Sequence, residues 1–152
     1  MSVLKQFNFT RTSLLTMMQE LNEKVADQES KHFENTIRWH IGNILLFDEK
    51  LIFLSREKSH KIPKEYAELF SSDIKVKDWS IEPPSLEQLQ EDLINQQERI
   101  NSFDELFWKS NVKFKVPYGH VETHGDLLTM LSYREAEEIG KIKTMKQVLE
   151  SE

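Results

Sequence analysis

The chain has no cysteine, which excludes disulfides, thiolate metal sites and cysteine nucleophiles. That absence fits a reducing compartment. Glycine and proline are scarce, at four each, and none interrupts the long periodic stretches. Long apolar runs are also missing: "ILLF" and "LIFL" are separated by "DEK", far short of a membrane span. The opening "MSVLKQFNFTRTS" lacks the continuous apolar segment of a signal peptide. Nor is there a basic excess. The net charge is −6, with both signs interleaved, whereas nucleic-acid binding needs a concentrated basic face. A soluble, cytoplasmic protein with no nucleic-acid or membrane partner is expected. What is present, 38% hydrophobic and 30% charged residues over 152 positions, suits one domain spanning 1–152 that can bury a core without staples.

Apolar periodicity predicts four helices. The first spans about Leu4 to Val25, with Phe7, Leu14, Met17, Met18, Leu21 and Val25 at helical spacing. The second spans about Lys31 to Lys58, with Ser30 as N-cap. It places Ile37, Ile41, Ile44, Phe47, Leu51 and Leu54 on one face and Trp39, Leu46 and Phe53 on another. A helix apolar on two sides is central or faces a partner, so the second stripe predicts a homodimer. Residues 59 to 84, with Pro63, Pro83 and Pro84, read as a crossover connection. "PPSLEQLQ" starts the third helix with a Ser85/Gln88 capping box, and Leu86, Leu89, Leu93, Ile100, Phe103 and Phe107 form its core face. A second break, "KSNVKFKVPYGHVETHG", offers a weak strand signal in "NVKFKVP". The last helix begins near Thr123 or Asp126 and runs to about Leu149. The expected architecture is an all-α four-helix bundle with long crossover connections.

The five histidines differ in promise. His120 and His124 in "HVETH" are spaced for a metal if both lie on one helix, but flanking Gly119 and Gly125 favour a surface or helix-start position. His32 and His60 read as solvent-facing. His40 falls between Ile37 and Ile44 on the apolar face, where a core histidine hydrogen-bonded to a neighbouring helix is expected; Asn43 flanks the same face. In the last helix Leu127, Leu131, Arg134, Glu138, Ile142, Met145 and Leu149 follow steps of three and four. The stripe is charged in its middle. Either Arg134 and Glu138 snorkel outward or they compensate one another at a spacing of four, and polar groups at mid-height are how a bundle builds a site.

These residues resemble the DinB-like superfamily, four-helix bundles that include bacterial thiol-dependent transferases. "NTIRWHIGNILLFDEKLI" is similar to its helix-two signature, and "THGDLLTMLSYREAEEIGKI" to its last-helix signature, His-Glu-Ala-x-His-x-Gly-x-Ile. Trp39, Gly42, Glu49, Glu135, Ala136, Gly140 and Ile142 match. The resemblance implies a divalent metal held by one helix-two histidine and two last-helix histidines. Here those slots hold Asn43, Arg134 and Glu138. Asparagine is a poor ligand for zinc or nickel, and a guanidinium has no free lone pair. The expectation is a relict site in which arginine supplies the charge of the lost cation. The protein would then carry no metal cofactor and be non-catalytic, or bind a small anionic or polar ligand near Arg134. The alternative is a zinc- or nickel-dependent transferase or hydrolase using His40 and Glu138, with His120 or His124 as further ligands.

Overall fold

The computed structural model describes residues 2–53, 61–117 and 119–152. Leu54 and His60 lie outside these. The described residues form seven α-helices and no β-strand: α1 (Ser2–Met18), α2 (Glu23–Asp27), α3 (Ile37–Ile52), α4 (Tyr66–Phe70), α5 (Leu86–Asn101), α6 (Glu105–Lys109) and α7 (His124–Ser151). Among them no helix is long and apolar enough to cross a membrane. The long helices pack as neighbours in a ring, α1 on α7 and α5, and α3 on α7 and α5.

Capping side chains explain where the helices depart from apolar periodicity alone. The expected helix through Val25 stops at Met18, because the Asn22 side chain accepts from the Val25 amide at 2.8 Å and starts α2. Ser30 does not start α3; Thr36 does, accepting from the Trp39 amide. Asp104 likewise accepts from the Phe107 amide, separating α6 from α5. In each case a side-chain oxygen satisfies an amide that a continuing helix would have bound. Ser85 caps α5 as expected, but Gln88 donates to Asp92 instead of completing the box. The complete box is at α7, where Thr123 and Asp126 each accept the other's amide. The ribbon anticipated in "NVKFKVP" reduces to one isolated bridge between Asn111 and Thr123.

The second apolar stripe of α3 is covered by its own chain. Trp39, Leu46 and Phe53 are 7%, 5% and 2% exposed. The Trp39 indole N–H donates to the Ile74 carbonyl at 3.0 Å, and Phe53 faces Phe103 at 5.7 Å between ring centres. The connection after α3 folds α4 against α3 and packs Val76 of a 3₁₀ turn (Val76–Asp78) on the core. The surface that suggested a homodimer is therefore interior. Buried Arg38, at the start of α3, fixes the neighbouring segments. It pairs with Asp27 and Glu23 of α2 and donates to the Pro84 carbonyl, while Glu23 accepts the Leu86 amide at the head of α5.

The interior is two apolar clusters rather than one. One contains Leu14, Ile41, Leu45, Leu93, Ile139 and Ile142; the other contains Phe7, Ile52, Ile100, Leu128 and Leu131. On every long helix the chain passes from one cluster to the other through a buried polar residue: Arg11, Asp48 with Glu49, Gln96, and Glu135.

Candidate functional site

The polar layer is centred on Arg11, which is 0% exposed. Its Nε and Nη2 donate to the two Glu135 carboxylate oxygens at 2.9 and 3.0 Å. Nη2 also reaches Asp48 at 3.1 Å and Gln96 at 3.0 Å, and Nη1 donates to the Leu93 carbonyl at 2.9 Å. The planar guanidinium thus joins α1, α3, α5 and α7, a geometry a lysine cannot reproduce. Gln96 passes the network on by donating to the Leu45 carbonyl and to Glu49, each at 3.0 Å. Arg99 closes it with paired bonds to Glu49 at 2.9 and 2.8 Å. Burial by itself would weaken the charge on Arg11, but Glu135 and Asp48 outweigh it and raise its pKa further.

Asp48 is the titratable member. Burial lifts its carboxyl well above the usual aspartate range, and the Glu135 charge and a hydrogen bond to Glu135 lift it further; Arg11 and Arg134 pull the other way. A carboxyl raised on folding binds its proton more tightly in the native state. Its stabilisation is therefore full below the unfolded pKa, about 4, and is lost as pH rises through the folded value. Asparagine mimics the protonated acid, donating to Glu135 and accepting from Arg11. The stability difference between wild type and Asp48→Asn, from urea unfolding at several pH values, is expected to shift toward the variant as pH rises above the aspartate range. Parallel curves from pH 4 to 8 would refute a raised Asp48 carboxyl.

The four residues picked out by sequence lie together on the seam between α3 and α7, as two cross-helix pairs. His40 is buried, as its place between Ile37 and Ile44 requires, and its Nδ1 lies 2.8 Å from Glu138. Arg134 donates to the Asn43 side-chain oxygen at 2.6 Å and lays its guanidinium 3.9 Å over the Phe47 ring. Arg134 and Glu138 are half-buried, so neither is a core pair nor a freely solvated one. Of the two expected arrangements, outward snorkelling or a pair with each other, neither describes them: each takes a partner on α3. Burial would raise the Glu138 carboxyl, but the hydrogen bond and charge of His40, with Arg134 and Lys141, hold it below the usual glutamate range. The helical charge that does face the core is Glu135, one residue along.

Asn43 also anchors the connection. Its amide donates to the Phe70 carbonyl at 2.7 Å and lies 3.5 Å from the Ser72 hydroxyl. Beside it is a cavity of about 260 Å³ lined by Asn43, Leu46, Phe47, Lys50 and Ser71 to Asp73. Arg134 contacts two of these walls, Asn43 and Phe47. The remaining histidines stand apart. His32 and His120 are exposed, while His124 is buried at the first turn of α7 and bonded to Ser110. His120 precedes the helix, so the two do not share a helical face.

As a metal centre the seam offers one imidazole, one carboxylate, an amide and a guanidinium. That set does not fit a transition metal, because the guanidinium repels it and two donors do not complete a coordination shell. Among the described residues no three histidine, aspartate or glutamate side chains converge in a way that could hold one. No family model matches this chain, and no curated protein matches it in sequence.

Proposed function

We propose that the chain is a single-domain DinB-like four-helix bundle whose metal position has become a direct polar contact between α3 and α7, and that it acts as a non-catalytic receptor for a small anion at Arg134. The observation that carries this reading is the state of Arg134. Among the described residues one of its five N–H donors is engaged, with Asn43, and its face rests on Phe47. The other donors are held in place on the half-buried seam between α3 and α7, an arrangement suited to a carboxylate or phosphate. Cation–π stacking and the Asn43 bond fix the guanidinium before a ligand arrives, which lowers the cost of ordering it.

A zinc- or nickel-dependent transferase or hydrolase would have to build its centre on His40 and Glu138. Their 2.8 Å contact favours a direct hydrogen bond between the two side chains over two separate ligands. The two readings separate experimentally. Inorganic phosphate and acetate should each raise the melting temperature of the wild type in a concentration-dependent way, and Arg134→Gln should abolish the shift while remaining folded. A shift produced by zinc or nickel, and by neither anion, would replace the anion reading with the metal-dependent one.

A further inference from the structure

The outer face of α1 does not have the composition of a solvated surface. The helix packs between α5 and α7, and among the described residues it exposes Lys5, Gln6, Phe9, Thr12 and Thr16, of which only Lys5 is charged. Its neighbours differ. α5 exposes Glu87, Glu91 and Glu98, and α7 exposes Asp126, Glu137, Lys141, Lys143 and Glu150. Phe9, at the middle of the α1 face, is 79% exposed. Loss of charge around an exposed aromatic is the signature of an interface core. Two more exposed apolar side chains flank it. Ile94 continues the three-and-four spacing of Gln97 and Asn101, both bonded to Asn8, so it stands on the edge of α5 next to α1. Tyr133 is exposed on α7 near the height at which Glu135 meets Arg11 of α1.

We infer that this face binds a second copy of the chain, with the two α1 helices antiparallel about a two-fold axis between Thr12 and Ser13. A groove along the face is lined by Lys5, Phe9, Thr12, Ser13, Thr16 and Glu20, and Lys143 of α7 borders it from the side. Glu20 belongs to the turn that continues α1, its amide donating to the Met17 carbonyl at 3.0 Å. The two α1 charges are therefore opposite in sign and stand at opposite ends, and neither forms a salt bridge with another described residue. That pattern selects the occupant and its direction. In the antiparallel pair Lys5 meets the partner's Glu20, and symmetry supplies the contact twice; a parallel pair would set like charges together. The same axis sets Phe9 opposite the partner's Thr16 and Thr12 opposite the partner's Ser13. These partners are small, so the helices can approach closely while each Phe9 ring fills a hole between them. The size is sufficient. The 17 residues of α1 span about 26 Å, and with the edges of α5 and α7 the face is about 30 Å wide. Its area is then on the order of the 800 Å² that each partner of a stable complex buries. The inference is independent of the anion reading of Arg134, and the face is distinct from the interior stripe of α3.

Sedimentation equilibrium of the full chain across the micromolar range provides the test. The wild type should dimerise. Lys5→Glu, Glu20→Lys and Phe9→Ser, all at exposed positions, should each weaken the dimer at least about tenfold. The double reversal Lys5→Glu/Glu20→Lys should bring it back to within about twofold of the wild type, because the two charges meet each other across the axis. Since the chain has no cysteine, Thr12→Cys gives a second readout: on mild oxidation it should form a disulfide-linked dimer, whereas Glu137→Cys, exposed on α7, should not. A strict monomer at every concentration would overturn the second copy as the occupant. A dimer indifferent to all three single substitutions, or equal cross-linking at positions 12 and 137, would overturn the α1 face. A double reversal that weakens the dimer further than either single one would overturn the antiparallel arrangement.

Discussion

Arg11→Ala should be among the most destabilising single substitutions in this protein. Arg11 is completely buried and makes five hydrogen bonds, three of them to the carboxyl groups of Glu135 and Asp48. Alanine would leave the Glu135 charge in the interior without a partner, along with the Leu93 carbonyl and Gln96. Breaking a buried pair by removing one member typically costs ~3–5 kcal/mol. For a chain of this size that lowers the melting temperature by roughly 6–20 °C. Arg11→Lys should recover little, because one ammonium group cannot reproduce the fork that reaches Glu135 on one side and Asp48 and Gln96 on the other. Replacing the charges together should do better. In Arg11→Met/Glu135→Gln the guanidinium and its two-oxygen partner leave together, and Asp48, whose carboxyl is already raised by burial, is the one acid left to take up a proton; exchanging a buried ion pair for neutral groups of similar volume is often close to neutral. Urea unfolding of the four proteins provides the comparison. A loss below about 1 kcal/mol in Arg11→Ala would mean that water or neighbouring groups replace the guanidinium, and the polar layer would lose its structural weight.

That layer is also where the sequence was hardest to read. The core stripe of α1 runs from Phe7 to Leu14, and that of α5 from Leu93 to Ile100. Each gap spans two helical turns, and Arg11 and Gln96 sit inside the gaps at the right phase. Periodicity weighs apolar residues, so a polar residue in phase registers as a missing signal. The signal available was that the gaps occur on more than one helix and align across the long helices, which requires knowing how the helices are staggered. The last helix shows the same difficulty in another form. Its charged run "REAEE" offers two columns, Arg134 with Glu138 and Glu135 alone, about one hundred degrees apart. Only the position of α1, carrying Arg11, shows that Glu135 faces the centre and that Arg134 and Glu138 flank it. The helical class, the Ser85 cap, the Thr123 start and the burial of His40 were legible, because each depends on contacts close in sequence or on one helix face. Partnerships across helices were not: His40 with Glu138 and Asn43 with Arg134 are 98 and 91 residues apart.

Gly42→Ala should also be strongly destabilising, although alanine is the better helix former. An added Cβ at position 42 would overlap the ring of Phe70. That ring has nowhere to go. It is fully buried, it meets Tyr66 and Trp79 edge-on at 5.5 and 5.9 Å, and its own carbonyl is held by Asn43. Overpacking of this kind costs about 1–3 kcal/mol, against a gain of up to ~1 kcal/mol from helix propensity. Gly140, on α7, supplies the control. It is exposed with nothing within 4 Å of the added atom, so Gly140→Ala should stabilise by roughly 0.5–1 kcal/mol. Phe70→Ala alone should cost about 3–5 kcal/mol through the cavity it leaves. In the double variant the clash is gone and the propensity gain remains, so Gly42→Ala should become neutral or favourable in the Phe70→Ala background. This reversal of sign in a double-mutant cycle isolates the contact; simple additivity would show that the two positions do not meet. The consequence reaches the ligand site. Relieving the overlap in Gly42→Ala means lifting α4, and the Phe70 carbonyl of α4 holds the Asn43 amide whose oxygen accepts from Arg134. The variant should therefore bind acetate and phosphate more weakly than the wild type even at temperatures where it remains fully folded, whereas Gly140→Ala should bind them unchanged.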